Sequence, residues 1–200
     1  MRVVPLVLAL LLVAGSASAT EIREFSVPTL ERMGNELIRA SQRPDRGATD
    51  PVRKRARETG IAATKGRLFE VRYDYVVLDD PDGKGFLVYA LALIDTKRFI
   101  QSGGDFRVTV SADGGTAERV DLLAAFAQQR LKKGDELAAL VCSQTTSNVP
   151  VETWLYTGHV CRVPIELVMS DGSFWRIENG RMRKRTKAEI DAVEAKSQKK

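Results

Sequence analysis

Residues 67–95 of this 200-residue chain read RLFEVRYDYVVLDDPDGKGFLVYALALID and decide the fold class. Within them, residues 69–77 alternate apolar and polar side chains, which is the period-two pattern of a half-buried strand. Residues 79–85 are turn formers, with glycines for positive φ and a proline that fixes φ. Residues 86–94 are apolar on both faces, as in a central strand covered above and below. The stretch therefore predicts a long hairpin with another layer packed on it.

The sequence around the hairpin adds helices and further strands. Ser26-Val27-Pro28 and Asp50-Pro51 each combine a capping side chain with a first-turn proline, which predicts two N-terminal helices. Leucine and alanine recur at helical spacing between Asp121 and Leu131, which predicts a middle helix. The following runs are typical of strands: 106–111, 137–142, 151–157, 160–169, 174–177 and 181–185. We expect an α+β domain, an antiparallel sheet of about six to seven strands with the N-terminal helices and the middle helix packed on it.

The first nineteen residues have the pattern of a secretory signal peptide. Arg2 precedes an apolar run at residues 3–13, and small residues follow up to Ala19, which favours cleavage after Ala19. The run is shorter than the roughly 20 apolar residues that span a bilayer. We expect a periplasmic or secreted protein without a transmembrane segment in the mature chain. Residues 20–186 would form a single domain, and residues 187–200 a short basic C-terminal helix or tail.

The chain contains two cysteines, Cys142 and Cys161, with eighteen residues between them. In an oxidising compartment an even count of two predicts one disulfide. Such a bond is worth about 3 kcal/mol of stability if stabilisation comes from reduced chain entropy in the unfolded state. The alternative is a pair of buried, unreactive thiols.

Candidate catalytic residues are few. His159 is the only histidine, and no Gly-x-Ser-x-Gly motif is present. With Cys142 and Cys161 it would offer three zinc ligands, of which a disulfide removes two. The acidic turn at residues 79–85 fails the calcium-loop pattern at two ligand positions. We therefore expect no metal, no cofactor and no enzymatic activity. The alternative is a carboxylate-dependent envelope hydrolase, because the separation of two acids depends on the fold rather than on sequence spacing.

Candidate binding residues fall into two groups. Trp154 and Tyr156 lie in the segment that the disulfide would hold, with His159 nearby, and large aromatics on a fixed segment suit partner binding. The alternative for both rings is that they cover the core. Two basic clusters form the second group: Arg53, Lys54, Arg55 and Arg57, and Arg181, Arg183, Lys184 and Arg185.

The expected compartment decides how the basic clusters are interpreted. The expected export argues against nucleic acid as a partner, which leaves an acidic envelope protein, an anionic envelope polymer or lipid head groups. The alternative is that both clusters are simply solvated surface. Taken together, the sequence predicts an exported, non-catalytic binding or accessory protein of the cell envelope.

Overall fold

The computed structural model describes residues 22–93, 99–130 and 139–191. The expected signal peptide and residues 192–200 of the expected tail lie outside these residues. The described helices are α1 (Val27–Ser41), α2 (Pro51–Thr64) and α3 (Thr153–Cys161), with a further helical turn at residues 187–191. The described strands are β1 (Tyr73–Asp79), β2 (Phe86–Ala92), β3 (Phe99–Ser102), β4 (Phe106–Val110), β5 (Ala117–Leu122), β6 (Ala127–Arg130), β7 (Leu140–Gln144), β8 (Ile165–Met169), β9 (Phe174–Glu178) and β10 (Arg181–Lys184).

The predicted hairpin is confirmed and forms half of the first sheet. β1 and β2 pair antiparallel, with Tyr73 opposite Ala92 and Asp79 opposite Phe86. The turn between them is closed by a 2.9 Å hydrogen bond from the Asp80 amide to the Gly85 carbonyl. The sheet order is β1-β2-β4-β5, so β2 is an inner strand.

Both faces of β2 are covered, as its apolar sequence predicts. Val88 packs with Val77 and Val108 in a small core that includes Ala56 of α2. Tyr89, on the opposite face, belongs to a larger core that also contains side chains of α1, α3 and the second sheet. The first sheet therefore lies between α2 on one side and the rest of the molecule on the other.

The second sheet has the order β10-β9-β8-β7. β7 and β8 run parallel, and α3 forms the crossover between them, as parallel neighbours require. The remaining strands are joined by tight turns at Asp171-Gly172 and Asn179-Gly180. β3 and β6 form a separate two-stranded sheet.

The α+β class is confirmed, but the arrangement of strands differs from the sequence-based expectation. Instead of one antiparallel sheet of six to seven strands, the described residues form ten strands in three sheets, and one pair is parallel. The fold class is still α+β, because the helices pack on the sheets. The strand count differs because short polar strands such as β6 (AQQR) carry little hydrophobic pattern.

The prediction of a middle helix at residues 121–131 is wrong. Residues 117–122 form β5, in which Leu122 pairs with Phe106 of β4. Leu123 and Ala124, which resemble a helical stripe in sequence, are fully buried just after this strand. Backbone pairing with β4 therefore overrides the local spacing of apolar residues.

The strand prediction at residues 151–157 is also wrong. Thr153–Cys161 form a helix, α3, instead of a strand. Val151, Trp154 and Leu155 are spaced at i, i+3 and i+4, and all three are buried in the larger core. This spacing suits a helix, whereas the alternation of Val151, Thr153 and Leu155 suits a strand. α3 also crosses α1 at Gly34, where a Cβ would lie 2.5 Å from Leu155 Cδ1, so the two helices touch closely.

The first described segment, residues 22–26, is bound to distant parts of the fold. The Arg23 guanidinium donates to both carboxylate oxygens of Asp80 at 2.7 Å, and the Arg23 amide donates to Asp121 at 3.2 Å. The carboxylate of Glu24 accepts a 2.9 Å hydrogen bond from the Ser147 hydroxyl. The segment therefore joins the first sheet to the loop before α3.

Candidate functional site

The two aromatic residues predicted to contact a partner are buried. Trp154 is 2% exposed, and its indole N–H donates a 2.6 Å hydrogen bond to the Gln144 side chain on β7. Tyr156 is 8% exposed, and burial raises its pKa to about 12. The expectation that these rings are presented to solvent is wrong, because α3 turns them into the core. The Trp154 hydrogen bond joins α3 to β7, and Tyr156 belongs to the larger core.

His159 has a different environment. It is exposed in the last turn of α3, and its ring Nε2 lies 3.2 Å from the Gln42 side-chain nitrogen at the end of α1. A cavity of about 600 Å³ opens beside it between α1, α3 and the turn that joins β9 to β10. We call this cavity the α1–α3 groove. Its polar lining consists of Asn35, Arg39, His159, Arg162, Glu178 and Asn179, and its apolar lining includes Ile38, Leu155 and Ile177.

The sequence explains why these polar side chains meet. The buried stripe of α1 points Leu30 and Leu37 into the core and leaves Arg39 on the exposed side. Gly34 allows the first turn of α3 to touch α1, and at the other end of α3 His159 Nε2 lies 3.2 Å from the Gln42 side-chain nitrogen. The last turn of α3 and the residue after it therefore place His159 and Arg162 along the same groove.

The two arginines of the groove, Arg39 and Arg162, have no acidic partner in the described part of the chain. Within residues 22–93, 99–130 and 139–191, neither Arg39 nor Arg162 takes part in an ion pair. Glu178, the carboxylate in the lining, is already bound by Arg176 at 2.8 Å, and this hydrogen bond lowers the pKa of Glu178. The groove therefore presents uncompensated positive charge, which suits a ligand with a carboxylate or phosphate group.

Arg162 occupies an unusual backbone conformation. It is the C-cap of α3, with φ 57° and ψ 34°, and its amide donates to the Gly158 carbonyl. Glycine is the usual residue in this left-handed region, and another residue there costs of order 1 kcal/mol. The chain accepts this cost at a position whose side chain lines the groove.

Most of the predicted basic residues on α2 are held by their neighbours. Arg53 pairs with Asp79 and lies 3.6 Å from Asp50, Arg55 is 3.9 Å from Asp113, and Arg57 donates to a backbone carbonyl. Lys54 is exposed and has no ion-pair partner among the described residues.

The cluster on and after β10 is similar. Arg181 pairs with Glu31 at 2.9 Å, Arg183 with Glu189 at 2.7 Å, and Arg185 with Glu166. Lys184 is exposed and unpaired within the described part of the chain. Since most of the charge in both clusters is compensated locally, neither one offers a strong anion-binding surface.

Cys142 on β7 and Cys161 at the end of α3 are unbonded thiols in the structure. Both are partly buried, and burial raises the pKa of each thiol to about 11. They interact electrostatically, which places them in the same neighbourhood between strand and crossover helix. The disulfide stays a prediction.

A buried ionic network lies in the larger core, and the sequence analysis missed it. The Arg107 guanidinium donates to Glu152 at 2.8 Å and to Asp121 at 3.1 Å, while the Tyr89 hydroxyl donates to the same Glu152 oxygen at 2.7 Å. All four side chains are at most 4% exposed. Burial in this region raises the pKa of Asp105 to about 7. Hydrogen bonds from the Ala92 amide and from Thr153 have the opposite, smaller effect and lower this pKa.

Its burial suggests that this network has a structural role. Asp105 and Glu152 are near enough for their charges to interact, as a pair of catalytic carboxylates would be. They lie inside the core, however, with exposures of 4% and 0%. The network connects β2, β4 and β5 to Glu152, the residue before α3.

In the part of the chain that the structure describes, no group of three or more histidine, cysteine and acidic side chains could hold a metal ion. None of the described helices has the length and hydropathy needed to cross a bilayer. No protein-family model, curated protein or solved structure matches this chain.

Proposed function

We propose that this is an exported, non-catalytic binding protein of the cell envelope that holds an acidic group of its partner in the α1–α3 groove. The proposal depends on a difference in ion pairing between the arginines of the groove and the arginines of the two basic clusters. Arg39 and Arg162 line one cavity and have no ion-pair partner among the residues that the structure describes, whereas most arginines of the two basic clusters are paired. Export rests on the signal-peptide pattern of residues 1–19.

The groove has the size and chemistry of a binding site. Its volume of about 600 Å³ falls within the range of roughly 300–1,000 Å³ that is usual for ligand pockets. An apolar floor with a few polar groups at the rim is the common composition of such sites. Arginine forks bind carboxylates and phosphates through two hydrogen bonds, so each guanidinium can fix the orientation of one anionic group.

Photocrosslinking in intact cells tests the proposal. A photoreactive amino acid replaces His159 in the full-length chain, and a second version carries it at Lys54, which is exposed on α2. We expect a discrete adduct from position 159 in the envelope fraction and none from position 54. The adduct should disappear when Arg39→Ala and Arg162→Ala are added together.

A matched pair of substitutions controls for total charge. Lys54→Ala with Arg67→Ala removes two exposed cations far from the groove in sequence and should leave the adduct unchanged. Equal loss of the adduct in both double variants would show that only net charge matters. N-terminal sequencing of the mature protein should begin at Thr20, and recovery of an uncleaved chain in the cytoplasm would contradict export.

A second candidate function, carboxylate-dependent hydrolysis, is favoured by the proximity of Asp105 and Glu152 and by the raised pKa of Asp105. Incubation of the purified protein with envelope glycans tests it by measuring newly formed reducing ends. Activity that is lost in Asp105→Asn, with the fold retained by circular dichroism, would favour the hydrolase. We expect none, because both carboxylates are buried.

A further inference from the structure

Two buried carboxylates connect the start of α3 to the first sheet. Glu152, the residue before α3, accepts a 2.8 Å hydrogen bond from Arg107 of β4. Asp105, directly before β4, accepts hydrogen bonds from the Ala92 amide at 2.9 Å and from the side chain of Thr153, the first residue of α3. Both acids therefore hold the same end of α3 from inside the core.

The two carboxylates differ in how their charge is compensated. The Arg107 guanidinium pairs with Glu152 and with Asp121. Asp105 is 4% exposed and forms no ion pair with any residue that the structure describes. Burial disfavours the ionised form of Asp105, and the charge of Glu152 adds to this effect.

The other ionisable groups that face Asp105 do not offer a positive charge. Tyr73 of β1 donates a 3.0 Å hydrogen bond to the Gly104 carbonyl, next to Asp105. Tyr156 lies on α3. Burial, and to a smaller extent the charge of Asp105, raises the pKa of both phenols, so both stay neutral near pH 7. Asp105 itself changes charge near neutral pH, because burial raises its pKa to about 7.

We propose that the charge on Asp105 controls how firmly the start of α3 is held on the first sheet, and through α3 the shape of the α1–α3 groove. Neutral Asp105 keeps the contact with Thr153 closed, whereas ionised Asp105 favours a local opening that lets water reach the carboxylate. The groove responds because α3 contributes Leu155 and His159 to its lining. For the groove the inference rests on the proposed function, whereas the opening of α3 does not depend on it.

Hydrogen–deuterium exchange of the purified mature protein, measured by mass spectrometry, tests the opening of α3. Labelling times are scaled for the intrinsic pH dependence of amide exchange. The open form binds protons less tightly at Asp105, so we expect the protection of residues 153–161 to fall by roughly ten-fold or more between about pH 5 and about pH 7. Helix α2, on the opposite side of the first sheet, is the internal control. An equal fall in α2 and α3 would overturn the inference, because only global unfolding would then respond to pH.

Two variants identify the group that responds. Asp105→Asn stays neutral, so the protection of its α3 should not change between the two pH values. Asp113→Asn removes an exposed carboxylate in the turn between β4 and β5 and should keep the pH dependence of the wild type. A fall of wild-type size in Asp105→Asn would overturn the inference. The comparison of α3 with α2 in the wild type needs no variant, so it remains decisive if Asp105→Asn does not fold.

The position-159 adduct, formed in isolated envelopes at the same two pH values, tests the connection to the groove. We expect less adduct at the higher pH in the wild type and equal amounts at both in Asp105→Asn. Equal amounts in the wild type would overturn control of the groove by Asp105 and leave the binding protein in place. Absence of the adduct at both pH values would instead remove the proposed function itself.

Discussion

A guanidinium nitrogen of Arg107 lies 2.8 Å from Oε1 of Glu152, and neither side chain is exposed to solvent. This ion pair joins β4 of the first sheet to the residue that precedes α3. Because α3 forms one wall of the α1–α3 groove, the pair connects the core of the protein to its candidate binding site.

Arg107→Met should lower the free energy of unfolding by about 3–5 kcal/mol, since it leaves the Glu152 charge buried without its partner. Urea unfolding followed by circular dichroism measures the loss. Arg55→Met is the control, because Arg55 is exposed and lies 3.9 Å from Asp113, and it should cost at most about 1 kcal/mol. The double variant Arg107→Met/Glu152→Leu should recover much of the loss, since no unpaired charge remains at position 152. Equal losses in Arg107→Met and Arg55→Met would contradict a buried ion pair.

Asp105→Asn should change how stability depends on pH. Burial raises the pKa of Asp105 to about 7, so the folded protein favours the protonated form more than the unfolded chain does. The stability that this group contributes is therefore present below pH 4 and is lost as the pH rises through 7. Asparagine stays neutral, so the variant should gain on the wild type by up to roughly 4 kcal/mol between pH 4 and pH 8.

The control for this pH effect is Asp113→Asn. Asp113 is exposed, and the Ser111 hydroxyl and the Gly115 amide lower its pKa, which is the opposite direction. Its replacement should not raise stability at high pH relative to the wild type. Unfolding in urea at a series of pH values provides the comparison, and parallel curves for Asp105→Asn and the wild type would show that Asp105 is ionised normally.

Arg162→Gly should raise the stability of the protein while it weakens binding in the α1–α3 groove. Glycine adopts the left-handed conformation of this C-cap without strain, so we expect a gain of about 1 kcal/mol in the free energy of unfolding. The same change removes a groove cation and should reduce the adduct formed from position 159. Thermal unfolding of the purified variant and the crosslink in cells are measured in parallel. Arg162→Ala controls for the side chain, because it should weaken binding without the gain in stability.

Protein isolated from the envelope should contain the bond between Cys142 and Cys161. Intact mass measured without reductant should be lower by two hydrogen atoms than after reduction, and thiol alkylation under denaturing conditions should fail until reductant is added. Cys142→Ser and Cys161→Ser should each cost about 3 kcal/mol under oxidising conditions. Two alkylated cysteines in unreduced protein would instead identify the buried thiols of the structure as the native state.

Features set by a few neighbouring residues were predictable from the sequence. The hairpin, the turns at Asp171-Gly172 and Asn179-Gly180, and the starts of α1 and α2 all follow local chemistry. Asp50, for example, accepts a 2.9 Å hydrogen bond from the Arg53 amide as a cap should. Thr186 and Glu189 have the spacing of a capping box, and the Glu189 carboxylate lies 2.9 Å from the Thr186 amide.

Features set by distant residues were not predictable in the same way. Arg107 alternates with Phe106 and Val108, so it reads as solvent-facing, but both faces of β4 are covered. The sequence did not identify Arg39 as a site residue, because the apolar pattern of α1 describes only the buried side of the helix. The left-handed conformation of Arg162 was not predictable, because the residue is neither glycine nor asparagine, which usually mark such a cap. The candidate site is thus a product of packing between elements, and only His159 was named from the sequence.

The binding of residues 22–26 has a consequence for the timing of folding. Arg23 contacts Asp121, 98 positions later, and Glu24 contacts Ser147, 123 positions later. The contacts of this segment therefore cannot all form until the chain has been synthesised beyond residue 147.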